Sequence, residues 1–138
     1  MELNFLGLVA ALAAFLSIWW GHVAVRKIEA VSVKLWQPMV VVFVLGTVFT
    51  GIALRTESRH LSAAFGIAGM VFFWDTFELY RQEKRAKRGH APANPNNPRH
   101  SKILKHYPDA TTLDWLDRNP RGKQYSVEEL AKIKATEK

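Results

Sequence analysis

The sequence predicts an all-α membrane protein: three transmembrane helices (up-down-up), then a cytoplasmic linker and a short helical tail. Three observations lead to this fold class. Apolar runs of spanning length occupy residues 3–25, 35–54 and 61–80, the links between them are short, and a basic block follows the third run. An apolar helix needs about 20 residues to cross a hydrocarbon core of about 30 Å. We therefore expect residues 1–88 to form a transmembrane domain.

The first run, residues 3–25, contains no charged residue. A signal peptide begins with a positive segment and ends at a small-residue cleavage site. Here Glu2 follows the initial Met, and Trp19 and Trp20 stand where cleavage would be expected. The pattern favours an uncleaved helix with its tryptophans at the membrane interface. The small residues spaced four apart near its start suit close helix packing, or simply reflect how common alanine is in membrane helices.

The second run, residues 35–54, follows a connector that we place at residues 26–34. Pro38 falls in the first helical turn, where a missing N–H costs little. The segment from Val40 to Phe43 would also suit a buried strand, but the length of the whole run favours a spanning helix. A hydrophilic link over residues 55–60 then leads to the third run.

The basic residues predict the orientation. Lys and Arg near span ends mark the cytoplasmic side of a membrane protein. The first connector and the segment after the third run lie on the same side of a three-span protein, and both are richer in basic residues than the second link, which has Arg55 and Arg59. We therefore expect the N-terminus outside and the C-terminal half in the cytoplasm, at a bacterial inner membrane.

A local block of basic residues accounts for the whole formal charge of +7, since residues 81–105 hold eight Lys or Arg and one acid, Glu83. Such a block directly after a span favours contact with anionic lipid headgroups, at about 1 kcal/mol per basic residue. Binding to nucleic acid is the weaker interpretation, and we expect no nucleic-acid partner. The predicted lipid-binding residues are Arg81, Lys84, Arg85, Lys87 and Arg88.

Beyond the third run we expect the helix to continue through Arg88 and to stop at Gly89. Residues 89–100 contain three prolines and predict an extended linker between the membrane domain and the tail. His90 and His100 in this stretch, and His106 after it, are expected to be solvated.

The cytoplasmic tail, residues 101–138, is predicted to contain short helices. The segment from Thr111 could start a brief helix that ends before Asn119 and Pro120, and Ser126 with Glu129 forms a capping box that would open a helix from Val127 to about Thr136. The tail has too few apolar residues for a core of its own, so we expect it to dock on a partner. The predicted docking residues are Tyr107, Leu113, Trp115, Leu116, Tyr125, Leu130 and Ile133.

Polar side chains near the cytoplasmic ends of the first and third helices are spaced three or four residues apart, so each set forms one stripe. A carboxylate inside a membrane costs several kcal/mol unless it is paired or wetted. We therefore predict a polar cluster between these helices, although Glu78 could instead be solvated at headgroup level. The cluster comprises His22, Arg26, Lys27, Glu29, Asp75, Glu78 and Gln82.

Catalytic motifs are not found in the sequence. There is no cysteine, no H-x-x-x-H, no glycine-rich phosphate loop and no nucleophile motif. His22 and His60 fall on opposite sides of the predicted membrane, so they cannot share a haem. We expect a protein that is not an enzyme and that needs no cofactor or metal.

The order of several short motifs resembles a known family. The motifs are Gly21-His22 with Arg26-Lys27-Ile28-Glu29, Phe73-Trp74 with Glu78-Leu79, Gln82-Glu83-Lys84-Arg85, and Gly89-x-x-Pro92-x-Asn94-Pro95. Over about residues 4–98 they are similar to a family of short three-span bacterial inner-membrane proteins catalogued as a domain of unknown function. The resemblance implies the three-span fold and supplies no activity. Val23 and His90 depart from the family, which tends to have a proline and an aromatic residue there.

Two functions remain open. The first is an accessory or structural subunit of a larger membrane complex, with other membrane subunits or further copies of the chain as partners. The second is a small transporter or a component that handles protons or quinones, supported by Asp75, Glu78 and His22 alone. Small size and an under-cored tail favour the first.

Overall fold

The computed structural model describes residues 4–115 and 124–136. Within these residues the chain forms five α-helices and no strand, which confirms the all-helical prediction. The helices are α1 (Leu6–Val31), α2 (Trp36–Arg55), α3 (Arg59–Lys87), α4 (Pro98–His106) and α5 (Val127–Thr136). The chain divides into two compact units, Met1–Arg81 and Gln82–Lys138. Each unit is described by itself below.

Helix α1 is longer than the predicted span, because residues 26–31 of the predicted connector are helical. This segment has no glycine or proline, and Arg, Lys, Glu and Ala all favour helix. The helix ends where the backbone N–H and the hydroxyl of Ser32 both donate to the carbonyl of Ile28, at 3.0 and 2.6 Å. The connector between α1 and α2 is therefore only residues 32–35.

Helix α2 contains Pro38 in its first turn, as predicted. The residues from Val40 to Phe43, which could have formed a strand, are helical. The helix ends at Arg55, where the N–H of Thr56 donates to the carbonyl of Ile52 at 3.0 Å. The length of the apolar run therefore decided the structure here, rather than the local preference of valine for strands.

Helices α2 and α3 pack closely through glycines. A Cβ atom built on Gly46 would lie 2.9 Å from the ring of Phe73, and one built on Gly69 would lie 2.5 Å from the hydroxyl of Thr50. The hydroxyl of Ser62 also donates to the carbonyl of Ala53 across this contact, at 2.9 Å. These glycines let the two backbones approach more closely than larger residues would allow.

The core of the first unit is small. Val25, Val42 and Leu79 are its buried apolar side chains, and partly buried neighbours pack against them. Within α1 only Gly21, Val25 and Glu29 are buried, and within α2 only Val42 and Gly46. Most of the apolar surface of both helices is exposed, including Phe15, Trp19, Trp20, Trp36, Val41, Phe43 and Leu54.

Among the described residues, two helices are long and apolar enough to cross a membrane, α1 and α2. The sequence predicted three. Helix α3 falls outside this group because it carries Asp75 and Glu78 and continues into a charged segment, so its mean hydropathy is lower. The third span therefore does not follow from length and composition alone.

The second unit begins with the last turn of α3. The N–H groups of Gly89 and His90 donate to the carbonyls of Ala86 and Arg85, at 3.2 and 2.9 Å, and Gly89 has a φ of +69°. This is the Schellman arrangement in which a left-handed glycine ends a helix. The prediction that Gly89 stops the helix is confirmed, although α3 itself ends at Lys87.

The stretch that we predicted as an extended linker, residues 89–100, is packed. Ala91, Ala93 and Asn97 are buried, and α4 begins at Pro98. The side chain of Asn97 accepts the N–H of Arg99 at 2.9 Å and so caps this helix. A proline at the first helical position lacks only an N–H that would have had no intrahelical partner, so it starts a helix here instead of preventing one.

The predicted capping box of α5 is confirmed. The N–H of Ser126 donates to Glu129 Oε2 at 3.0 Å, and the N–H of Glu129 donates to the Ser126 hydroxyl at 3.2 Å. Helix α5 has the predicted bounds, Val127–Thr136. Most of the brief helix expected after Thr111 lies outside the described residues, as do Asn119 and Pro120.

Candidate functional site

Asp75 of α3 lies directly against Gly21 of α1. A Cβ atom on Gly21 would lie 2.5 Å from Asp75 Oδ2 and 2.9 Å from Oδ1, so the carboxylate occupies the space that a side chain on α1 would fill. Asp75 is only 8% exposed. Its electrostatic neighbours are His22 on α1 and Glu78 on its own helix. A buried carboxylate therefore stands at the contact between α1 and α3.

This carboxylate borders two grooves. The larger, of about 710 Å³, runs between α1, α2 and α3, and its walls include Trp20, Val42 and Phe72. The smaller, of about 470 Å³, lies between α1 and α3, and its lining includes His22 and Trp74. Asp75 lines both grooves. The walls of both are otherwise almost entirely apolar.

The other members of the predicted polar cluster are placed differently. Glu29 is fully buried, Arg26 is half-buried, and His22 and Lys27 are exposed. Glu78 is 5% exposed and forms an ion pair with Arg81 at 3.5 Å, so it is not simply solvated. Gln82 belongs to the second unit, where its side-chain oxygen accepts the Arg85 Nε–H at 2.8 Å. Within the first unit, the structure brings Asp75 together with His22 and Glu78.

A second polar group, which sequence reasoning missed, is half-buried and joins α4 to the end of α3 within the second unit. Arg99 of α4 donates to Glu83 Oε1 at 2.9 Å, and Lys87 lies 3.2 Å from Glu83 Oε2. Burial acts to raise the pKa of the Glu83 carboxyl, but the hydrogen bonds and charges of Arg99 and Lys87 outweigh it and lower the pKa below its ordinary value of 4.5. This ion-pair group fixes α4 against the end of α3.

His100 was expected to be solvated, and this expectation is wrong. The ring is fully buried, and its Nδ1 accepts the backbone N–H of Asn94 at 2.9 Å. The imidazole thus satisfies a loop donor inside the proline-rich stretch. The only available signal was the position of His100 two residues after the helix-starting Pro98, on the face that carries Ile103.

The five predicted lipid-binding residues are not equivalent. Arg81 is exposed, pairs with Glu78, and lies 6.0 and 5.9 Å from the rings of Trp74 and Phe77. Lys87 is bound to Glu83 and lies 5.5 Å from the ring of Tyr107. Arg85 is half-buried and hydrogen-bonded to Gln82. Lys84 and Arg88 lie on the exposed surface. Part of the basic block therefore serves the folded structure.

The predicted docking residues of the tail are mostly half-buried within the second unit. Trp115 donates its ring N–H to the carbonyl of Gly89 at 2.8 Å, and its ring packs edge-on against Tyr125 at 6.1 Å. Leu113, Leu130 and Ile133 are half-buried, Tyr107 is exposed, and Leu116 lies outside the described residues.

No group of three or more His, Cys, Asp or Glu side chains that could hold a metal ion occurs in the described ranges 4–115 and 124–136. Asp75, with His22 and Glu78 as its electrostatic neighbours, is a buried acid at the α1–α3 contact. The arrangement can exchange a proton or meet a positive charge. It offers no nucleophile held against a base.

These features define a class: an all-helical protein with two helices of spanning length, a glycine-packed first unit and a small second unit. The chain belongs to the family described as domain of unknown function DUF4491, whose profile matches residues 4–97. This confirms the family resemblance drawn from the motifs. No curated protein and no solved structure matches the chain.

Proposed function

We propose that this chain is a small integral protein of the bacterial inner membrane that serves as an accessory or structural subunit of a larger membrane complex. Its helices would pack on other membrane subunits or on further copies of the chain. The cytoplasmic second unit would dock on the same assembly.

The observation that carries the proposal is the low burial of α1 and α2. In their most apolar windows only 11% and 17% of the residues are buried inside the structure. The core helix of a soluble protein of the same hydropathy would be mostly buried. A water-exposed apolar surface of this extent would aggregate, so it needs lipid or protein around it.

Asp75 and Glu78 are compatible with a third span over residues 61–80 in this proposal. Glu78 is paired with Arg81, and Asp75 is turned towards α1. Charged residues in membrane helices are tolerated when they face the helix bundle or find a partner. The N-terminus would lie outside and the second unit in the cytoplasm, following the positive-inside rule.

The exposed Arg81, Lys84 and Arg88 support contact with anionic headgroups on the cytoplasmic side. Arg85 and Lys87 contribute less in this proposal, because both are half-buried in the second unit. We propose no nucleic-acid partner and no catalytic activity.

Isolation in a mild detergent tests this function. The full chain, carrying a small affinity tag, should sediment with membranes, resist alkaline carbonate extraction and migrate in a native gel with a much larger complex. A chain that dissolves without detergent, or that migrates as a detergent-bound monomer, would contradict the proposal. The co-purifying subunits would identify the complex.

A further inference from the structure

The larger groove of the first unit combines one buried acid with apolar walls. Among the described residues that line it, Asp75 is the only charged one, and Ser17 is the other polar side chain. The volume of about 710 Å³ lies within the range of about 300–1,000 Å³ that small-molecule sites occupy. The groove is therefore large enough for an organic ligand and carries a single negative group.

Asp75 lacks the partner that a buried carboxylate normally has. It is 8% exposed, and no described residue donates a hydrogen bond to it or forms an ion pair with it. An ionised carboxylate in apolar surroundings is strongly destabilised unless a cation or a proton compensates it. The groove therefore contains an acid without a compensating cation.

The charged neighbours of Asp75 do not place a positive charge in the larger groove. His22 and Glu78 are the groups that interact with it electrostatically. Glu78 adds negative charge, although Arg81 partly offsets it from 3.5 Å. His22 is exposed and lines the smaller groove but not the larger one. The larger groove itself presents only the acid.

The walls of the larger groove suit a cation with apolar substituents. Trp19, Trp20, Phe49 and Phe72 line it together with aliphatic side chains. Aromatic faces attract organic cations through their quadrupoles, most strongly where water is excluded. An anionic ligand would be repelled by Asp75, and a plain acyl chain would leave the acid unpaired.

We propose that this groove binds a lipophilic monovalent organic cation, of the quaternary ammonium or phosphonium kind, with Asp75 as its counter-ion. The apolar groups of the ligand lie against the aromatic and aliphatic walls. Binding competes with protonation of Asp75, because a neutral carboxyl no longer offers a counter-charge.

Equilibrium binding of tetraphenylphosphonium tests this site. The full chain in nanodiscs of phosphatidylcholine should bind the probe saturably at neutral pH. Asp75→Asn, which is nearly isosteric, should weaken binding by about tenfold or more, equivalent to about 1.4 kcal/mol. Glu78→Gln is the matched control and should retain binding, since Glu78 is paired with Arg81 and does not line the groove.

Two further measurements test whether the probe binds in this groove and whether Asp75 controls its binding. Leu45→Trp adds bulk to the wall of the groove on α2, leaves the acid in the sequence and should also abolish saturable binding. Acidification should release the probe from the parent chain and equally from a His22→Gln variant. Equal release would show that protonation of Asp75, and not of His22, causes the loss of binding. Absence of saturable binding, or equal binding by the parent chain and Asp75→Asn, would overturn the proposal.

Discussion

At the scale of single residues, Gly21 and Asp75 depend on each other. The carboxylate lies where any side chain on Gly21 would have to go. Gly21 is therefore required for close contact with α3, rather than for backbone freedom within α1. The contact also places an acid at the edge of two apolar grooves.

Gly21→Val should destabilise the first unit. The added Cβ would overlap the Asp75 carboxylate, and overpacking of this kind costs about 1–3 kcal/mol. Gly7→Val is the matched control on the same helix, because no atom lies within 4 Å of a Cβ there. Thermal unfolding in mild detergent should show a lower midpoint for Gly21→Val alone. Equal midpoints would show that the α1–α3 contact does not matter for stability.

Glu83 predicts a pH dependence of the second unit. Its folded-state pKa is lowered by Arg99 and Lys87, so its contribution to stability is fully present above its ordinary pKa of 4.5 and is lost as the pH falls towards the folded-state value. Hydrogen exchange of the α4 amides should therefore accelerate below about pH 4.5 relative to the intrinsic rate.

The comparison that isolates Glu83 is Glu83→Gln. The α4 amides of this variant should exchange faster at neutral pH, because the free energy of opening α4 falls by on the order of 1 kcal/mol. Their exchange should change little further on acidification. Glu57→Gln, at an exposed position in the α2–α3 link, should behave as the parent chain does. An α4 helix protected equally in the parent chain and Glu83→Gln would contradict this account.

The residue-scale contacts were the hardest to predict. Glu83 and Arg99 lie 16 positions apart, and only the folded chain brings them together. His100 follows a proline-rich stretch whose composition indicates a linker, so the only sequence signal for its burial was its position on the Ile103 face of a helix that starts at Pro98. Helical spacing predicted the polar stripe that contains Asp75, but it did not predict the contact between Asp75 and Gly21.

At the scale of helices, the crossing of α2 and α3 is set by small residues. Gly46 and Gly69 leave room for Phe73 and Thr50, and a Cβ atom built on Gly69 would also lie 3.2 Å from the carbonyl oxygen of Gly46. Backbone atoms cannot move aside as a flexible side chain can. The contact therefore specifies how these two helices pair.

Gly69→Val should weaken this pairing. A side chain there meets the Thr50 hydroxyl and backbone atoms of α2, so we expect a loss of about 1–3 kcal/mol. Gly51→Val provides the control, because a Cβ at Gly51 has no atom within 4 Å. Thermal unfolding of the two variants in the same detergent checks the difference. A Gly51→Val protein that is as unstable as Gly69→Val would point to helix propensity instead.

The helices themselves were largely predictable, since long apolar runs, Pro38, Gly89 and the Ser126 capping box each act locally. The end of α1 was predicted too early because the charged residues after position 25 were taken as a connector. Most residues from Arg26 to Glu29 are good helix formers, and the helix continues through them. The start of α4 was missed because prolines were read as linker, although Pro98 stands where proline suits a helix start.

At the scale of the whole molecule, exposed apolar helices and a folded basic unit are combined in one short chain. The apolar surface of α1 and α2 calls for lipid or partner helices, and the second unit has polar contacts of its own. Both features suit a subunit that is held in a bilayer and recognised from one side. Under the proposed function, the number of helices that cross the bilayer decides on which side of the membrane the second unit lies.

Reporter fusions at the C-terminus and within residues 55–60 measure most directly how many helices cross the membrane. Three spans predict a cytoplasmic reporter at the C-terminus and an external one in the link, with Arg26 and Lys27 also cytoplasmic. A C-terminal reporter found outside the cytoplasm, on the same side as the link, would mean that α3 does not span and would contradict the account.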